Sequence, residues 1–268
     1  VKIVATAEKL LSGYDLHFGG PPYLVGIVSS LVRADAMFLV RIGLVMMVII
    51  LLASLRSLAG VFMVLFVIIL SLISMMGSMG WIRGLTGSER FVFSIMNTSM
   101  PIILMTIANS DSVHFLTKFF KKLRITGDKA KAIEQSIESL MLPIFLTSLT
   151  TAAAFLSLVF APIEYMTGYG VSIAIGISWA WILSTTLLPS LIMLKDWPLN
   201  SRAIRKPGLL ERIVDKFGSK IIKFPRSILI GGLLLVAVGI YGIKLVTTEV
   251  NMFSFFEKGN KIRDSLEF

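Results

Sequence analysis

The sequence predicts an all-α membrane protein, a polytopic bundle of spanning helices. The chain has 268 residues, of which 55% are hydrophobic, and its mean hydropathy of +0.84 is too high for an ordinary soluble domain. Apolar runs of about 17 to 25 residues, long enough to cross a bilayer, recur along it. Lys and Arg gather between alternate runs, as in membrane proteins of defined orientation.

Six spanning helices are predicted in this fragment. They cover residues 37–55, 58–82, 91–116, 142–161, 168–194 and 227–246. Single Pro and Gly residues inside the runs do not exclude spanning, because neighbouring helices satisfy the freed backbone groups. The first five helices form a transmembrane bundle over residues 35–194. A basic cytoplasmic linker with an amphipathic helix, residues 195–226, leads to the sixth.

The basic residues predict the orientation. Sixteen Lys and Arg residues follow the first, third and fifth spans, whereas the opposite turns hold only Arg83 and Arg90. Because basic segments stay in the cytoplasm, both chain ends are expected outside. The net charge of +10 is then explained by these segments, and no nucleic acid is expected as a partner.

Two basic segments carry helical stripes of apolar residues, at 128–140 and 209–221, and Asp128 is a plausible N-cap of the first. We expect both helices to lie on the inner membrane surface, with docking of a cytoplasmic partner as the alternative. The chain ends, 1–34 and 247–268, mix alternating and turn residues, as in strands of a water-exposed α+β domain. Since the chain starts at Val1 in a polar segment, we expect an internal piece of a longer protein.

The third span contains a polar patch in its cytoplasmic half. Its residues are Thr106, Asn109, Ser110, Asp111 and His114, and residues three or four apart share a helix face. An ionised carboxylate in hydrocarbon costs about 2.5 to 3.5 kcal/mol or more, so this face is expected to meet other helices or a wet cavity.

The fourth span offers matching hydroxyl groups, from Thr147, Ser148 and Thr151. They either allow close helix packing or line a path for protons or water. Asp111 either stays protonated as a packing group or titrates as part of a proton-coupled machine. His114 either assists Asp111 or points toward the cytoplasmic headgroups.

No enzyme is expected, because the chain shows no phosphate loop, no nucleophile paired with a base and no metal-ligand spacing. Cysteine is absent, and His17 and His114 lie on opposite sides of the predicted membrane. No cofactor and no metal are therefore predicted.

Several segments together resemble the resistance-nodulation-division superfamily, and within it the lipid-exporter-like branch of mycobacterial large membrane proteins and hopanoid transporters. Asp-Ser-Val-His-Phe-Leu at 111–116 resembles that family's fourth-helix motif. The segments 143–158 and 170–191 resemble its fifth and sixth helices, and 248–268 resembles the start of its second periplasmic domain.

The resemblance implies that the six spans are helices two to seven of twelve. Residues 1–34 would end the first periplasmic porter domain, 35–194 would be a sterol-sensing-domain-like bundle, and 247–268 would begin the second porter domain. Asp111 stands where the family has its proton-coupling carboxylate, although Ser110 replaces a second acid and the partner helix of the other repeat is missing.

The implied function is proton-motive-force-driven export of a hydrophobic or lipidic substrate from the bacterial inner membrane, with protons as the coupling ion. Its expected partners are membrane lipids, that substrate and the remaining half of the transporter. The residues leave open whether the protein self-associates and whether sodium replaces the proton. The alternatives are a lipid-binding regulatory or scaffold module without transport, and assistance of protein translocation.

Overall fold

The computed structural model describes residues 6, 9–11, 13, 21–93, 95–201, 204, 216–218 and 220–246. Helices dominate this part of the chain, and it contains no strand, so the all-α prediction is confirmed. The strands expected near the chain ends fall on residues 14–20 and 247–268, outside the described residues. Most of the amphipathic helix expected at 209–221 lies outside them as well.

Seven α-helices have both of their ends within the described residues. They are α1 (Pro21–Leu55), α2 (Leu58–Thr86), α3 (Met100–Thr126), α4 (Lys129–Leu156), α5 (Glu164–Ile182), α6 (Leu188–Leu194) and α7 (Pro225–Ile243). A π-helical turn, Leu183–Leu187, joins α5 to α6. The chain divides into a helical bundle, Asp35–Ile213, and a second unit of Val1–Ala34 with Val214–Phe268, to which α7 belongs.

Five segments of the described chain are long and apolar enough to cross a membrane. They are Ala34–Leu55, Leu58–Thr86, Lys129–Phe160, Glu164–Leu194 and Pro225–Ile243. The predicted number was six. The third predicted span is not among the five because α3 carries Asn109, Ser110, Asp111 and His114 in its middle.

Helix α3 instead lies in the interior of the bundle, where it packs against α2, α4 and α5. Leu104, Leu116 and Phe119 are completely buried. Its apolar side is buried in contacts with other helices. Of its polar patch, Asp111 is buried, whereas Thr106, Ser110 and His114 are exposed. Helix α3 begins at Met100 rather than at residue 91, and two short 3₁₀ turns precede it.

The segment expected to be a basic loop with a separate surface helix is a tight helical hairpin. Helix α3 continues to Thr126, where Gly127 at φ 66° closes it, a left-handed conformation that favours glycine. The predicted cap is confirmed, because the Asp128 carboxylate accepts from the Ala130 amide at 2.9 Å. Since α4 then runs unbroken into the predicted fourth span, the prediction of a separate surface helix at 128–140 was wrong.

Polar contacts show which helix ends lie together in the bundle. At one end, Arg90 pairs with Glu164 at 3.5 Å, beside the start of α5. At the other end, the Lys129 ammonium donates to the Met193 carbonyl at 2.7 Å and pairs with Asp196 at 3.6 Å. The basic hairpin and the residues after α6 therefore share one end, as the predicted orientation requires. The orientation in a membrane stays a prediction.

Helix α5 approaches its neighbours closely because it is rich in small residues. A Cβ atom on Gly170 would collide with the backbone carbonyl of Phe155, at the end of α4. A Cβ atom on Gly176 would come within 2.8 Å of the Met75 sulfur on α2. Small residues at such contacts are typical of helices that pack inside membranes.

This packing predicts that Gly170→Ala destabilises the protein by about 1 to 3 kcal/mol, because the backbone of α4 must move to admit the methyl group. Gly80→Ala on α2 is the matched control, since nothing lies within 4 Å of the added Cβ, and it should be neutral or slightly stabilising. Thermal unfolding of the detergent-purified protein measures both variants. Equal melting temperatures for the two would contradict the packing described for α5.

Candidate functional site

A cavity of about 460 Å³ lies between α3 and α4. Its polar lining residues are Thr106, Ser110, Asp111 and His114 from α3, and Thr147, Ser148 and Thr151 from α4. Its apolar lining consists of Leu140, Pro143 and Ile144 from α4 and Ile107 from α3. The cavity therefore collects seven of the eight side chains that the sequence singled out.

Asp111 is the buried charged group of this cavity, with 6% of its surface exposed. The Ser148 hydroxyl on α4 donates to the Asp111 carboxylate Oδ2 at 3.4 Å, which is long for a hydrogen bond between oxygens. Within the described part of the chain, no basic side chain forms an ion pair with Asp111. The carboxylate thus has one weak partner and borders open space.

The threonine hydroxyls of the cavity are already used as donors. Thr106 donates to the Ile102 carbonyl at 2.9 Å and Thr151 donates to the Thr147 carbonyl at 2.7 Å. Thr147 itself donates to the carbonyls of Pro143 and Ile144. Since a hydroxyl has one proton and two lone pairs, these residues retain oxygen lone pairs as acceptors.

His114 is exposed and lies one turn after Ser110 and Asp111, toward the basic end of the bundle. It borders the same cavity as Asp111, and the role of its side chain stays a prediction. None of the described residues forms a hydrogen bond or ion pair with the His114 side chain, and the same holds for the Ser110 hydroxyl.

Asn109 is the predicted site residue that the cavity does not include. Its side-chain oxygen is buried without a hydrogen-bond partner in the described part of the protein. Because each helical residue turns the chain by roughly 100°, Asn109 lies about 200° around α3 from Asp111. The polar patch is therefore divided between two faces of α3. Asn109 lies outside the cavity, and its relay or packing role stays a prediction.

The sequence reasoning missed Ser112, which is completely buried beside Asp111. Its hydroxyl has no hydrogen-bond partner in the described residues. It also missed the apolar wall that Leu140, Pro143 and Ile144 give the cavity. In the sequence these residues fit an ordinary apolar stripe. The antiparallel packing of α3 against α4 places them in the lining of the same cavity as Asp111.

Comparison with known proteins assigns the chain to a family. The family model of MMPL proteins matches residues 1–214, which include the whole helical bundle and its cavity. The chain belongs to the MMPL family. The resemblance inferred from the motifs is thereby confirmed. MMPL proteins are membrane transporters of hydrophobic substrates.

One curated relative comes from Methanocaldococcus jannaschii and carries the name membrane protein MJ1562. It is 26% identical to this chain over 116 residues, which are 43% of this chain and 30% of that relative. The matched part thus spans less than a third of the relative's length. Because the relative is archaeal, it does not support a specifically bacterial inner membrane, and that localisation stays a prediction.

The open cavity predicts a water-accessible α3–α4 interface. Since this chain has no native cysteine, single cysteines can be placed in it without background from its own residues. Ser110→Cys and Thr147→Cys should react readily with a hydrophilic thiosulfonate reagent, because the reagent needs a hydrated, ionisable thiol. Ser112→Cys, at a completely buried position, is the matched control and should stay unmodified.

Mass spectrometry of the intact purified protein gives the modified fraction, with any cysteines elsewhere in the full-length protein replaced. Equal labelling of Ser112→Cys and Ser110→Cys would show that the cavity does not determine access. Protection of both cavity positions would show that the interface is dry.

Proposed function

We propose that this chain is the ion-coupling part of a proton-driven exporter of hydrophobic or lipidic substrates in the cytoplasmic membrane. The observation that supports this best is the buried carboxylate of Asp111, which borders an open cavity of mixed polar and apolar lining and has one long hydrogen bond. A buried ionisable group inside a spanning bundle is expensive and marks an ion pathway more often than a packing contact.

The coupling step is a change in the charge of Asp111. When ionised, the carboxylate requires polar partners, and in the described residues its hydrogen-bond donor is Ser148 on α4. When protonated, it loses its net charge, and the electrostatic cost of withdrawing it from the cavity falls. Helices α3 and α4 would therefore prefer one arrangement when Asp111 is ionised and another when it is protonated, so binding of the proton shifts the equilibrium between them.

His114 is proposed to pass the proton between Asp111 and the cytoplasm. It borders the same cavity and is exposed, and its position is displaced from Asp111 toward the basic end of the bundle. The two ring nitrogens of an imidazole can each carry a proton, so the side chain can accept a proton on one nitrogen and release one from the other. A charge that crosses the whole membrane supplies about 2.3 kcal/mol per 100 mV to drive export.

The remaining parts of the machine are proposed to lie outside this chain. The region matched to the curated relative from Methanocaldococcus jannaschii covers 30% of that relative's length. The second helical repeat and the porter domains would therefore belong to the full-length protein. They would supply the substrate site, and membrane lipids would surround the bundle.

The first test is transport by the full-length protein in proteoliposomes under an imposed pH gradient. We expect Asp111→Asn to reduce both proton uptake and export of a fluorescent hydrophobic compound to background, because the amide cannot titrate. Glu138→Gln is the matched control: it removes an exposed carboxylate from α4 that does not line the cavity, and transport should be unchanged.

Size exclusion and thermal unfolding confirm that both variants are folded. Full transport by folded Asp111→Asn would make the carboxylate a packing group and would favour the regulatory lipid-binding alternative. Loss of transport in Glu138→Gln as well would show that the effect is not specific to the cavity.

A further inference from the structure

Helices α5 and α6 form one helical segment that is interrupted by a π turn. Together they cover Glu164–Leu194, and the π turn Leu183–Leu187 lies between them. The Leu188 amide donates to the Leu183 carbonyl, five residues back instead of the four of an α-helix. π turns are rare inside α-helices, bend them and concentrate at functional sites.

Pro189 directly follows this turn and weakens it further. A proline has no amide proton, so it breaks the hydrogen bonding of a helix interior. Since the Leu188 amide is bound to the Leu183 carbonyl, the Ser184 carbonyl lacks a free amide donor both four and five residues ahead. The helix is therefore least well bonded between Leu183 and Pro189.

Hydroxyl side chains take up part of the bonding in this turn. Thr185 donates to the Trp181 carbonyl at 2.7 Å, and Thr186 donates to the Ile182 carbonyl at 2.6 Å. A threonine hydroxyl that bonds to the carbonyl four residues back favours a bend in its helix. The turn is thus stabilised in a bent form by its own side chains.

Helix α4 contains a second weak point. Pro143 lies in the interior of this helix, which runs without interruption from Lys129 to Leu156. The carbonyl of Ser139, four residues earlier, loses its amide donor to this proline. Interior prolines and π turns are the two commonest sites of sharp helix bends.

The π turn begins at the depth of Asp111. Helices α3 and α5 both run toward the basic end of the bundle, and a Cβ atom on Gly176 would lie 3.1 Å from the Leu104 side chain. Asp111 follows Leu104 by seven residues, and Leu183 follows Gly176 by seven residues. Residues seven apart lie on the same side of a helix, two turns further along. The π turn also packs against α2 and α3.

The two prolines lie at nearly the same depth, on the basic side of Asp111. The contact of Ser148 with Asp111 sets the position of α4 against α3. At 1.5 Å per residue, Pro143 is roughly 7.5 Å from Ser148 toward the basic end, and Pro189 is roughly 9 Å beyond Leu183 in the same direction. Helix α4 and its neighbour are therefore both weak in one layer of the bundle.

Helix α4 and the α5–α6 segment contact each other on both sides of this layer. On the basic side, the Lys129 ammonium donates to the Met193 and Lys195 carbonyls. On the other side, Gly170 lies so close to the Phe155 carbonyl that a Cβ atom there would collide with it. Because the contacts join the same two elements above and below the layer, we expect both elements to bend together.

We propose that Pro143 and the π turn with Pro189 form one hinge. At this hinge, residues 129–142 of α4 and Leu188–Leu194 tilt as one body when Asp111 gains or loses its charge. The inference rests on the proposed function for its trigger, because the charge of Asp111 changes the preferred arrangement of α3 and α4. The tilt itself is measurable without transport.

The test measures distances between pairs of nitroxide spin labels in the purified full-length protein in lipid nanodiscs, with any cysteines outside this chain replaced. One pair, Leu58→Cys on α2 and Lys131→Cys on α4, spans the basic end of the bundle. The reference pair, Leu85→Cys on α2 and Phe160→Cys just after α4, spans the opposite end. All four positions are exposed.

Asp111→Asn supplies the uncharged state. It is used instead of a change of pH, because His114 lines the same cavity and is titratable as well. We expect it to change the distance between labels at 58 and 131 by about 2 Å or more, in the range of helix shifts in known switches. The distance between labels at 85 and 160 should stay the same.

Pro189→Ala tests the hinge, because alanine returns an amide donor to the turn and favours a straight helix. Pro189 does not line the cavity of Asp111. In this background the effect of Asp111→Asn should fall by about half or more. Pro101→Ala is the matched control: Pro101 lies in the first turn of α3, where a proline costs no hydrogen bond, so the effect should persist in full.

Size exclusion confirms that the variants are folded. A change at the basic end that Pro189→Ala suppresses and Pro101→Ala does not suppress supports the inference. An unchanged distance in Asp111→Asn, an equal change at both ends, or a change that Pro189→Ala leaves intact overturns it.

The proposed function is judged separately, by transport. Loss of transport by Asp111→Asn without any change of distance leaves the proton exporter intact and removes the hinge. A change of distance that Pro189→Ala suppresses, together with full transport by Asp111→Asn, keeps the hinge and removes the proposed coupling.

Discussion

The proposed function of this bundle depends on the contact between Ser148 and the Asp111 carboxylate. This contact joins α3 to α4 across the cavity at 3.4 Å, and in the described residues it is the hydrogen bond that Asp111 receives from another helix. A single long hydrogen bond does not offset the cost of removing a carboxylate from water. The arrangement therefore suits a group that changes its charge or its partner better than a group that fixes the fold.

The packing of the other helices positions α3, which carries the Asp111 carboxylate. Helix α3 is enclosed by α2, α4 and α5, and large side chains such as Phe115 and Phe119 fill its interior side. The small residues of α5 allow the close approach of the neighbouring helices. The polar face of α3 is thereby left to one side, toward α4, where the hydroxyl groups lie. The apolar side of α3 thus supplies its packing contacts, and the other side lines the cavity.

The basic end of the bundle is tied together independently of the cavity. Lys129, at the start of α4, donates to the carbonyls of Met193 and Lys195 and pairs with Asp196. These carbonyls belong to the end of α6, where backbone acceptors have no helical donor, so a cation there is favourable. Trp197 then stacks edge-on against Phe119 and Phe120. This end is held by side chains that do not line the cavity.

The sequence by itself determined the class of the protein, the spans around α2 and α5, the cap at Asp128 and the polar residues of the site. These features follow from local apolarity, capping chemistry and helical spacing, all of which can be recognised in the order of the residues along the chain. The tertiary structure decided that α3 is an interior helix, that the basic segment is a hairpin and that Asn109 faces away from the cavity. It also decided that Leu140, Pro143 and Ile144 line the same cavity as Asp111. Such relations depend on how two helices rotate against each other, and no residue pattern within one helix specifies that rotation.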